Sequence, residues 1–88
     1  MNDQSLEERI KRASETPIGT LVFIKDSKLA ELYDVRAGIQ YEVLAVHPLL
    51  YHLPIENQQT SVLASVSFII NSDLNRGREI HYSCFKGF

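Results

Sequence analysis

The hydrophobic period of the chain changes at residue 19, and that change fixes the class of fold open to it. Before residue 19, Leu6, Ile10 and Ala13 fall at i, i+4 and i+7, one apolar stripe on a helix. Ser5 and Glu8 precede the stripe at the spacing of a capping box, in which the serine hydroxyl accepts the Glu8 amide. The pattern predicts a helix over about 5–15. Thr16-Pro17-Ile18-Gly19 ends it, because proline lacks an amide hydrogen and disfavours helical geometry in the residue before it. The stripe is narrow, so the helix is expected to dock on the rest of the molecule as a lid.

After Gly19 the period is 2. Strands are predicted over about 20–25, 39–46, 61–70 and 79–85 from alternation and from β-branched and aromatic content. The third is the longest, with Val62, Ala64, Val66, Phe68 and Ile70 sharing one face. Within the connection opened by Asp26-Ser27, residues 28–33 have room for one helical turn. His47-Pro48 is expected to stop the second strand, leaving 47–60 as a long connection. Asn71 to Arg78 is dense in turn formers. The expected architecture is mainly β (α+β): one domain over 1–88, a small antiparallel barrel of four to five strands with an N-terminal helix. Closure is favoured because an open sheet of this size leaves two edges for aggregation. A barrel this small is filled by its own side chains, which sends function to loops and outer surfaces.

These elements carry a family resemblance. Residues 19–25, the Gly38-Ile39-Gln40-Tyr41-Glu42-Val43 run, residues 66–73 and Phe85 together resemble small SH3-like barrel proteins common in bacteriophage genomes. In those, a first strand leads to a Gly-x-x-Tyr-x-Val second strand, a third ends in Asn/Asp-rich turn residues, and a short aromatic strand closes the chain. The helix and the long 47–60 connection depart from that pattern. The resemblance implies the fold, a viral source and a role as a small binding or inhibitory protein. It carries over no functional residue.

Composition removes several function classes. A single cysteine, Cys84, excludes an internal disulfide and the stapled secreted miniproteins. The first twelve residues have no basic start followed by an apolar run, so no secretory signal is read, and no stretch approaches the ~20 apolar residues of a membrane span. The expected location is the cytoplasm, a host's if the source is viral, with no membrane partner. His47, His52, His81 and Cys84 lack the paired spacing of a structural zinc site. A lone Cys84 on an alternating strand reads as a small buried apolar residue rather than a nucleophile. The acidic residues show no pairing suited to acid–base work, and the four glycines form no phosphate loop. No cofactor or metal is expected, and no enzymatic activity.

Two surfaces remain. Arg76 and Arg78 at a turn, followed by Tyr82, suggest a basic and aromatic hairpin for nucleic acid. Asp73 and Glu79 are interleaved with them, and the whole chain has formal charge −2, so phosphate attraction is weak. This is the alternative reading. The stronger feature is a depletion of charge: residues 37–72 contain Glu42 and Glu56 and no lysine or arginine. Inside it, residues 49–55 are nearly all apolar. On the surface, such a run has the make-up of an interface core, poor in charge and rich in aromatics; folded inward, it plugs one end of the barrel. The expected function is a protein-binding module acting by steric occlusion, its partner a host protein or a second copy, with the third strand available to pair across a two-fold axis. Tyr33, Leu50, Tyr51, His52 and Leu53 are the candidate contacts. Tyr33, Tyr51 and His52 are expected to meet in a groove between residues 26–38 and 47–60.

Overall fold

The computed structural model describes residues 5–55 and 58–88, with side chains over 5–52 and 61–88. Helix α1 spans Leu6–Ser14. The Ser5 hydroxyl accepts the Glu8 amide at 3.2 Å. Acidic residues occupy its first turn and basic residues its last, the arrangement that suits the helix dipole. Ile10 and Ala13 are buried, whereas Leu6 is exposed. The helix therefore docks by its second half. Arg9 fastens it to the Phe88 carbonyl at 3.3 Å, and Arg12 donates to Gly87 and lies over the Phe88 ring.

Four antiparallel strands follow: β1 Leu21–Val22, β2 Tyr41–Ile55, β3 Gln58–Ile70 and β4 Ile80–His81. Between β1 and β2 lies α2, Ser27–Leu32, capped by the Asp26 carboxylate on the Leu29 amide. The strands form one sheet in chain order, curled into a half-barrel. Past β1, Ile24 bridges Phe85. The Lys25 amide donates to the Cys84 carbonyl and the Lys86 amide to the Phe23 carbonyl. The two ends of the curled sheet are tied there. The core inside it is Val22, Ile24, Val43, Val66, Phe68, Ile70, Ile80 and Phe85, all buried, with Ile10 and Ala13 of α1 over it. Phe68 packs on Phe85 at 5.5 Å and on Phe88 at 5.4 Å between ring centroids.

All four expected strands have different bounds, the third, expected over 61–70, beginning at Gln58. The first, expected over 20–25, pairs with β2 only at Leu21 and Val22. Beyond Val22 the chain leaves β2 and crosses to the opposite end of the sheet, yet Val22 and Ile24 still point inward, so the period survives the change of partner. The last, expected over 79–85, is strand only at Ile80 and His81. The ring of His81 then accepts the Ser83 amide at 3.2 Å and opens a 3-10 turn over Tyr82–Cys84. Alternation ends at that turn, which is how Tyr82, Cys84 and Phe85 all become buried. The second, expected to stop at 46, runs through Pro48 to Ile55, so residues 47–60 are not a connection of their own. Proline is tolerated in a strand whose nitrogen faces no neighbour. The β1–β2 pairs lie at Tyr41 and Glu42, and the last contact from that side is the Val43 amide on the Thr20 carbonyl. Pro48 and Pro54 thus lie on a free edge.

Candidate protein interface

β2 and β3 are much longer than the strands beside them, and the difference in length creates the site. β4 meets β3 only at Ser67 and Phe68. Beyond the Pro48–Val66 pair, residues 49–55 and 58–65 pair only with each other. At the usual rise per residue, this two-stranded ribbon projects roughly 20–25 Å from the half-barrel. The molecule measures 47 × 35 × 23 Å, with a radius of gyration of 14.6 Å. A compact globule of this chain length would have about 12 Å, and the ribbon accounts for the excess.

Two register shifts shape the ribbon. One lies between Val43 and Ala45, which leaves Leu44 as the extra residue; the other lies between Leu49 and Leu50, whose partners are Ser65 and Leu63, which leaves Ala64 extra. A bulge of this kind bends the strand and increases its twist. Below Ala64, the even-numbered β3 residues Val66, Phe68 and Ile70 are buried. Above it the parity inverts: Leu63 packs against the core, while Val62 turns outward. On β2 no residue is extra at that point, so Leu49 and Tyr51 stay on the outer face and Leu50 shares a face with Leu63. Leu49 is 63% exposed, Leu50 51%, Tyr51 61% and Val62 43%. Tyr51 stands directly opposite Val62. Residues 49–52 of the run are therefore surface, not plug.

Charge surrounds this ribbon without entering its described faces. Glu79 meets the His47 ring at 2.6 Å near its base. Higher up, His52 bonds the Ser61 hydroxyl at 2.9 Å across the two strands. Leu53 is in β2, and its side chain lies outside the described residues.

Tyr33 does not join this surface. It closes α2 and packs against the core. Its carbonyl accepts the Asn75 amide group at 2.7 Å, and the Arg78 guanidinium sits 5.7 Å from its ring centre. Tyr51 is ten residues along β2 from Tyr41, whose hydroxyl accepts the Arg36 amide at 2.9 Å in the same loop as Tyr33. The expected groove of Tyr33, Tyr51 and His52 is not assembled, because the strand pairing extends 47–55 away from the loop that holds Tyr33.

The basic and aromatic hairpin is also rearranged. Arg78 is engaged within the molecule: it donates to Asp34 and to the Leu32 carbonyl, each at 3.0 Å. Tyr82 is 3% exposed and offers no free face for a base. Arg76 is exposed on a turn, at φ 57°, beside Arg36, Asp34 and Asp73 in a shallow cleft. Asn75, fully buried beneath that cleft, is the residue that sequence reasoning missed. A polar residue inside a turn gives no sign of its burial.

His47 and His52 lie on opposite faces of β2, and the described residues hold no cluster of three or more His, Cys, Asp or Glu able to share a metal ion. Cys84 is buried between Tyr33 and the sheet, and burial pushes its thiol pKa up, which keeps the weakly nucleophilic protonated form. Among the described residues, no helix is long and apolar enough to cross a membrane. Compared with protein-family models, curated proteins and solved structures, the chain matches none.

Proposed function

We propose that this chain is a non-enzymatic protein-binding module: an SH3-like half-barrel that holds out a β-ribbon as its contact surface. One observation carries the reading. Leu49, Tyr51 and Val62 are 43–63% exposed on one face of a ribbon whose described residues bear no formal charge, and Leu50 is 51% exposed on the other. Scattered surface leucines are ordinary, but a contiguous apolar patch on a projecting element is a feature of interfaces. Tyr51 supplies the aromatic anchor, and aromatic anchors carry much of the energy of such contacts. Occupying a partner's surface is then sufficient for activity, by steric occlusion. The SH3-like reading is supported by the strand order and by the Ile24–Phe85 bridge, which sets the aromatic last segment against the first strand.

A photo-crosslinking residue placed at Leu49, at Tyr51 and at Leu32 tests this in the cell that makes the protein. Leu32 is a matched control, as exposed as Leu49 but on α2. Adducts to protein are expected from positions 49 and 51 and not from 32. Equal labelling from all three, or none from the ribbon, sinks the reading.

A further inference from the structure

The two edges of the ribbon are not alike. On β2 the edge carries Pro48 and Pro54, a device by which proteins stop a free strand from pairing with another chain. On β3 the edge above Ser67 carries neither proline nor charge across residues 58–65. Only the Ala64 bulge interrupts it. One edge is closed to strand addition and the other is left open, with Ser61, Val62 and Ala64 exposed along it.

The ribbon also lacks sufficient support of its own. A two-stranded hairpin is marginal in water, and three or more strands with an apolar face are needed for independent stability. Leu63 is the described ribbon residue that packs back on the core; Leu49, Leu50, Tyr51 and Val62 remain largely in solvent. Another strand at the open edge would supply what is missing.

We propose that the occupant of this edge is a second copy of the chain, added antiparallel to β3 about a two-fold axis at Val62. This rests on the protein-binding reading and names its partner. The charge pattern selects the occupant. About this axis Val62 faces itself and Ser61 faces Leu63 of the other copy, so a charge at or beside the axis would lie close to its own copy, and like charges directly opposite are destabilising. Residues 58–65 contain none. The pairing joins the two ribbons into one four-stranded sheet. Its outer face gathers Leu49, Tyr51 and Val62 from both copies, doubling the apolar surface of each ribbon and satisfying the free backbone groups of β3.

Sedimentation equilibrium on the full chain is the test, with Val62→Lys, Val62→Glu and the control Leu32→Lys. The wild-type chain and Leu32→Lys are expected at twice the 10.0 kDa chain mass. Each Val62 variant should dissociate at a concentration at least about tenfold higher, since like charges brought together across an interface are strongly unfavourable. A one-to-one mixture of the two Val62 variants should recover the dimer, which excludes misfolding as the cause of the loss. A wild-type chain that stays at monomer mass overturns the proposal, as does a Val62→Lys chain that dimerises like wild type, or a mixture that shows no recovery. If the chain is monomeric and position 51 still crosslinks to a different protein, self-pairing fails and the protein-binding reading survives. If neither is seen, both fail.

Discussion

Burial decides chemistry most clearly at Cys84. The thiol lies against Tyr33, and burial raises both its pKa and that of the tyrosine hydroxyl. Folded Cys84 therefore holds its proton to higher pH than the unfolded thiol does. As pH rises past about 8.5, the ordinary thiol value, the unfolded state ionises first. The contribution is whole below that pH and is lost as pH climbs through the folded value. Denaturant titrations of wild type and Cys84→Ala across pH 7–10.5 should show a stability gap that is constant near neutrality and narrows in alkali. A gap that widens with pH would contradict the burial account. Asn75 shows the opposite use of burial. Its amide group fixes the Tyr33 carbonyl, while Oδ1 has no partner. A lone buried acceptor costs free energy, and the turn that contains it is built on left-handed Arg76 and Gly77.

At the scale of elements, α1 was legible to within a residue. Its apolar spacing, cap and terminating proline are all local signals, and local chemistry forms the element. The third strand is legible in its β-branched and aromatic content and in the alternation of Val66, Phe68 and Ile70, whereas the Ala64 bulge, which turns Val62 away from the face those residues share, leaves no mark in the sequence. Pro48 does not stop the second strand. Proline removes a donor, and whether that matters depends on a neighbour far away in sequence, here β1, which ends its pairing at Glu42. The last strand ends at His81 because that side chain competes with the ladder for the Ser83 amide, a contest that alternation cannot reveal. The apolar 49–55 run was visible as a patch, whereas its projection depends on the mismatch of strand lengths. That mismatch has a dynamic consequence. Amides paired only within the ribbon should exchange with solvent much faster than those of residues 43 and 66–70, which open only with the core. Amide exchange followed by NMR should separate the two groups, and the ribbon group should slow as concentration rises if copies pair there.

For the whole molecule, the half-barrel and the ribbon divide the labour. The half-barrel holds the buried aromatic cluster and the tie between the sheet's ends, while the ribbon groups the exposed Leu49, Leu50, Tyr51 and Val62. Average composition concealed this division, because charged α1 and the basic turn offset a middle almost without charge. The groove expected near Tyr33 belonged to a closed and compact body, and the elongated one observed cannot form it.

The Ala64 bulge adds an independent control. Without Ala64, Ser65 and Leu63 would be adjacent and would meet Leu49 and Leu50 in an unbroken ladder. Every cross-strand pair would survive, and so would the set of side chains on each face. What would change is the local bend and twist that the extra residue imposes. The bulge therefore separates what the ribbon presents from where it aims. Deleting Ala64 should leave the near-core amide shifts in place and alter the solution scattering profile, as the arm swings to a new bearing. Gaining or losing one small residue is then enough to re-aim the ribbon, with the residues on each of its faces unchanged.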